Sequence, residues 1–419
     1  MTARWILLVV MALAATVAAC GDDDEGGGGG GAGEAQATLK VYSSLPLQGA
    51  AREQNVAIVN GAELALEQAG GRAGDFTIEY ESLDDSTAQA GGWEPGATTA
   101  NARRAAQDDA TIAYIGEFNS GATALSLPLL NEAGIMQISP GNTAVGITTD
   151  EPGAAAGEPD KYYPTGKRTY ARLLPKDTVQ GAALVAVMKE EGCASAYILN
   201  DKEVYGTGLA RNVELAAEEQ GLGIEGNDGI DKQAPNYRSL AAKIADTGAD
   251  CFVYTGITAN NAVQVFKDMA AALPDGKLFG PEGIAETGFF DASEGGIPAD
   301  VAARTLVTIP GLPPEEYTSA GREFVKAYAA KYGDKTPDRY AIYGYESMKL
   351  ILDTIAAAGE NGDDRAAVVD QVYATKDRDS VLGTYSIDEN GDTTLTTYGV
   401  YRIQNNTTKF DRTIEPPAK

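Results

Sequence analysis

From Leu39 onward the chain alternates short strand signals with helix-period runs, and near Asp177 the cycle starts again. Leu39–Tyr42, Phe76–Tyr80, Thr111–Ile115 and Ile135–Ile138 read as strands. Between them lie runs with apolar residues three or four apart, such as Val59, Ala62, Leu66 and Ala69. After Asp177, a helix carrying Leu184, Val187 and Met188 leads to strands at Tyr197–Leu199, Ile224 and Phe252–Tyr254, each followed by another helical run. Strands joined through helices run parallel, so this order predicts an α/β protein with two parallel, helix-covered sheets. A chain of 419 residues is long enough for two such cores. The last hundred residues open helical, with Phe324, Val325, Tyr328 and Tyr332 on one face, then Met348, Ile351, Leu352 and Ile355 on the next helix. They end in a hairpin expected around Asn390-Gly391. Two loops break the rhythm: residues 86–95, which include Trp93, and residues 148–167, which include Tyr162-Tyr163.

Composition removes most enzyme chemistry. The chain has no histidine, which excludes Ser-His-Asp and Cys-His catalysis and His-ligated metals. Three cysteines cannot make a four-thiolate zinc site. Lys plus Arg total 33 against 60 Asp plus Glu, a net charge of −27, so no cationic face for nucleic acid is expected. Gly221–Gly226 has G-x-G-x-x-G spacing but follows a helix and precedes a strand, the reverse of the nucleotide-binding context. Asp388–Asp392 begins like a calcium loop, yet Thr393 stands where the loop needs glycine. No metal, no cofactor and no enzymatic activity are expected.

The first residues speak for export. Arg4 precedes an uncharged, mostly apolar run, Trp5–Ala19, about 22 Å long as a helix and too short for a hydrocarbon core of roughly 30 Å. It reads as a signal peptide over residues 1–19. Thr16-Val17-Ala18-Ala19-Cys20 resembles the bacterial lipobox, which makes Cys20 the expected lipidation site. The Gly- and Asp-rich stretch 20–37 cannot form a core and reads as a tether with a reach of roughly 20–25 Å. The expected location is outside the cytoplasm, lipid-anchored to the outer face of the cytoplasmic membrane. Cys193 and Cys251 each stand at the start of a strand. They are within disulfide reach if those strands are neighbours, and otherwise are two buried thiols.

In doubly wound sheets, ligands bind beyond the carboxyl ends of strands, at helix N-termini. The turns there are Gly116–Thr123, Ser139–Thr143, Asn200–Gly206, Thr255–Thr258 and Gly280–Gly283. The first two are rich in small and hydroxyl residues, suited to a carboxylate, and Glu282 in the last suits an ammonium group.

These turns carry a resemblance to the leucine/isoleucine/valine-type substrate-binding lipoproteins of ABC importers, a branch of the type I periplasmic binding proteins. The similarity runs from about Leu39 to Ile403. It is carried by Ser44–Gly49, Ile115–Ser120, Asn131–Ile135, Ile138–Pro140, Asp201-Lys202 with Tyr205–Leu209, and Gly280–Gly283. The resemblance implies a two-lobed fold with three crossovers near Pro175, Pro310 and Tyr398. Lobe I would hold residues 38–175 and 311–397, lobe II residues 176–310 and 398–410, with a tail over 411–419. It implies ligand contacts from Ser120 and Thr143 to an α-carboxylate, from Gly141 through backbone groups, from Glu282 to an α-ammonium, and from Tyr205 closing over the ligand. It also makes the Tyr197 and Phe252 strands neighbours, which favours a Cys193–Cys251 bridge. Ile257 stands where the family often places an aromatic residue, and Ala50-Ala51-Arg52 offers no aromatic residue either, so the side-chain site is altered. The expected function is capture of a zwitterion, a branched-chain or related amino acid, by a monomer that passes it to an ABC permease. The alternatives are a sensory protein binding a small carboxylate for a membrane receptor, and a hydrolase working through carboxylates.

Overall fold

The computed structural model describes residues 37–415. The expected signal peptide, Cys20 and all of the tether but Ala37 lie outside them.

The two runs of alternation build two sheets. The first has the order Arg72–Ala73, Phe76–Asp84, Thr38–Leu45, Thr111–Ile115, Met136–Ser139, Tyr170–Arg172, parallel throughout except the short first edge. Alternate residues serve opposite faces, as a pleat requires. Val41 and Ile115 join the core beneath helices Arg52–Gln68 and Ala341–Ala358, whereas Tyr42 and Tyr114 pack toward Pro95–Gln107 and Ser120–Glu132. The second sheet has the order Gly223–Gly229, Ser195–Asn200, Cys251–Thr255, Lys277–Gly280, Thr305–Pro310, Tyr398–Gln404, Thr407–Ile414; its pairing is parallel except that Tyr398–Gln404 runs antiparallel to both of its neighbours. Helices Asp177–Glu190 and Val204–Gln220 cover one face, and Arg238–Ala245 and Ala262–Ala272 the other. The protein is thus a two-lobed α/β fold; the last strand of the first sheet ends at Arg172, and the second sheet takes the chain to Pro310 and again from Tyr398.

Cys193 stands two residues ahead of the strand Ser195–Asn200, and Cys251 opens the neighbouring strand, paired with Ala196. Their Cα atoms are 5.9 Å apart and the sulfurs are joined.

One local expectation is corrected. Asn390-Gly391 turns within a segment closed by a single bridge, Ile387 to Thr393, and is not the terminal hairpin. That hairpin turns at Asn405-Asn406, whose φ angles of 53° and 59° lie in the left-handed region that asparagine tolerates. Its second strand continues to Ile414, into residues that the sequence assigned to a tail. The loop at 86–95 contains its own two-residue hairpin, Ser86–Thr87 against Gly92–Trp93.

Candidate functional site

The cleft between the lobes is built from the turns that leave the strand tips. After Ile115 the chain turns into the helix Ser120–Glu132, whose N-cap residue Asn119 makes no side-chain capping bond. The first-turn N–H groups of that helix therefore have no cap and face the cleft, an arrangement suited to an anion. The Ser120 hydroxyl accepts from Ala144 N at 3.3 Å, which leaves its own proton to donate. The Thr143 hydroxyl is buried beside the Asp177 carboxyl and makes no hydrogen bond of good geometry, which leaves it able to turn to a ligand.

The Ser139–Thr143 turn is locked onto the first one. Ser139 Oγ donates to Glu117 O at 2.7 Å and accepts from Gly141 N and Asn142 N at 3.2 and 3.0 Å. Gly141 thus commits its N–H within the turn, which leaves its carbonyl as the backbone group it can offer a ligand. The glycine is required: a Cβ there would lie 2.4 Å from Phe118 Cδ2. Phe118 in turn meets Tyr340 edge-on, with ring centroids 5.0 Å apart.

Lobe II contributes acids. Glu282 is buried; Tyr205 Oη lies 2.9 Å from its Oε1, and Gln180 Nε2 donates to its Oε2. Burial pushes its carboxyl up to about 7, against the hydrogen bonds from Gln180 and Tyr205. Asp177, the first residue of the helix Asp177–Glu190, is buried beside it, with the Thr143 hydroxyl as its polar neighbour and no hydrogen bond of good geometry. Burial and then the charge of Glu282 push Asp177 up to about 8. At neutral pH Glu282 is therefore about half ionised, while Asp177, held higher, mostly keeps its proton. The groups bonded to Glu282 are neutral, and it forms no ion pair among the described residues.

All six residues expected to face a ligand, Ser120, Gly141, Thr143, Tyr205, Ile257 and Glu282, line one cavity. Sequence reasoning did not assign Trp93, Phe118 or Tyr340 to the ligand, yet they line it too. It also missed Gln180 and Asp177, buried behind Glu282. Trp93 carried a signal, as the one large ring in an over-long loop. A glutamine and an aspartate at the start of a helix carry none.

Residues 38–408 match the family described as "Periplasmic binding protein". The Leu/Ile/Val-binding protein homolog 1 of Brucella abortus (strain 2308) is 27% identical over 379 residues, which cover 88% of this chain and 91% of that one. The crystal structure of a leucine binding protein from Thermotoga maritima superposes with a TM-score of 0.76 at 21% identity, covering 90% of this chain and 99% of that one. A solute binding protein from R. palustris in complex with benzoate gives 0.72 at 20%, covering 90% and 97%. At such identities the structural matches speak for the fold alone.

Proposed function

We propose, for a chain that belongs to the periplasmic binding protein family, that it captures an amino acid between its two lobes and delivers it to an ABC importer. It is a solute-binding protein and not an enzyme. In this reading the ligand carboxylate takes the free N–H groups of the helix Ser120–Glu132 and the hydroxyls of Ser120 and Thr143. Its ammonium takes Glu282 and the Gly141 carbonyl, and Tyr205 and Ile257 close from lobe II. The lobes divide near residues 175, 310 and 398, and Cys20 carries the lipid that keeps the protein at the membrane outside the cytoplasm.

The observation that carries this reading is Glu282: a buried carboxylate at the ligand cavity, bonded only to neutral donors, is stabilised by a ligand cation. The relative named for Leu, Ile and Val supports the amino acid. The benzoate complex supplies the second reading, an aromatic carboxylate with no ammonium group. Contacts from both lobes stabilise the closed form, and only contacts stronger there shift the equilibrium.

Native mass spectrometry of the freshly purified protein, followed by thermal shift with the common amino acids and benzoate, tests the proposal. A ligand at about 100 times its Kd adds about 2.7 kcal/mol. An amino acid is expected to produce that shift. Stabilisation by benzoate and by no amino acid would overturn the reading.

A further inference from the structure

We infer that the side-chain end of the cleft selects an aromatic amino acid, with Trp93 as the specificity-determining residue. This inference rests on the amino-acid reading above. Trp93 belongs to the hairpin Ser86–Thr87/Gly92–Trp93, which is pinned to the neighbouring loop from several sides. Asp84 Oδ1 accepts from Leu47 N at 3.0 Å and Ser86 N at 2.9 Å. Gln48 N donates to Ser86 Oγ at 2.9 Å, and Glu94 N to Asp85 O at 2.7 Å. The backbone that carries the indole is therefore fixed before any ligand arrives, which lowers the ordering cost of binding.

Its position is defined by Gly121: a Cβ there would stand 2.8 Å from Trp93 Cζ2, so the ring lies on the first turn of the helix Ser120–Glu132. That places the indole directly beside the expected carboxylate anchor, where the first atoms of a ligand side chain must pass. Phe118 and Tyr340 supply two further rings to the same cavity, and Ile257 faces it from lobe II. Two further acids line the cavity: Asp201 accepts from Glu203 N at 3.0 Å, Ile257 N at 3.2 Å and Asn260 Nδ2 at 2.8 Å, and Glu203 pairs with Lys232 through Oε1. Ring-on-ring contacts add to burial, whereas a branched aliphatic side chain gains burial alone.

Titration calorimetry with phenylalanine, leucine, alanine and benzoate, on the wild type and on Trp93→Leu and Trp93→Phe, tests this. Wild type is expected to bind phenylalanine about tenfold more tightly than leucine, the scale of one or two ring contacts. Trp93→Leu is expected to remove that preference while changing leucine binding by less than about threefold, and Trp93→Phe to retain most of it. Leucine binding as tightly as phenylalanine to the wild type, or equal loss for every ligand in Trp93→Leu, overturns the inference and leaves the amino-acid reading intact. Benzoate bound with no amino acid bound overturns both.

Discussion

Replacing Arg172 by methionine is expected to destabilise the protein by about 3–5 kcal/mol, the range for breaking a buried ion pair from one side. Arg172 closes the last strand of the first sheet and is fully buried. Its Nε donates to Asp392 Oδ1 at 2.7 Å, Nη1 to Ala144 O at 2.7 Å, and Nη2 to Thr148 Oγ1 at 2.6 Å. Thr148 Oγ1 donates to Asp392 Oδ2 at 3.1 Å, so the ion pair sits in a closed set of bonds. Burial works against the Asp392 charge, but Arg172 and then Lys176 prevail and hold its carboxyl below the usual range. Methionine fills similar space, leaves the Ala144 carbonyl without its partner, and leaves the buried Asp392 carboxylate with only the Thr148 hydroxyl and the more distant Lys176, 3.7 Å away. Urea unfolding at pH 7 measures the loss, and Arg172→Met combined with Asp392→Asn should recover part of it. Because the folded pKa of Asp392 is depressed, the pair's contribution is present above the unfolded value near 4 and lost as pH falls through the folded value. A loss below about 1 kcal/mol would show that the cluster does not hold the structure together. The same bonds fix Ala144, next to Thr143, so the variant should also bind ligand less well.

Glu282→Gln is expected to weaken amino-acid binding by one to two decades, about the strength of a charge-assisted hydrogen bond. The substitution keeps the shape and the contacts with Tyr205 and Gln180 while removing the charge. Its pH behaviour is a second signature. Glu282 has a raised pKa near 7, pushed there by burial. A ligand ammonium favours the ionised form, so binding lowers that pKa and expels the proton. Below pH 7 the affinity should fall by up to about tenfold per pH unit, with proton release visible in buffers of different ionisation heat. The other groups facing Glu282 do not cancel this. Asp177, raised to about 8, is already neutral there, and burial keeps Tyr205, Tyr340 and Tyr398 protonated. Glu282→Gln should flatten the profile between pH 5 and 7. An unchanged isotherm would remove Glu282 from the site.

How much of this is legible in sequence follows from the range of the contacts involved. Strands such as Thr111–Ile115 are buried on both faces and read as continuous apolar runs, so their order, and hence the two lobes, can be derived from periodicity. Ser120, Thr143 and Glu282, which line one cavity, can be picked out as candidates because parallel sheets place their turns directly after strand tips. Arg172 and Asp392 lie 220 residues apart, and no local pattern announces that they meet. The Asn390-Gly391 dipeptide is a strong hairpin signal, but the flanking residues make one bridge, and the pairing strands lie fifteen residues later around Asn405-Asn406. Tertiary pairing outweighs turn propensity there. Trp93 was conspicuous in its loop, yet only the pairing of Ser86 with Trp93 turns the indole onto Gly121.

The central claim is that the cleft recognises both charges of one small molecule. The most direct test is to titrate the amino acid giving the largest thermal shift beside its deaminated twin, the carboxylic acid with hydrogen in place of the ammonium. The predicted result is a loss of roughly a hundredfold or more for the twin, since Glu282 is then left buried beside nothing that carries positive charge. Equal or tighter binding of the deaminated acid would contradict the account.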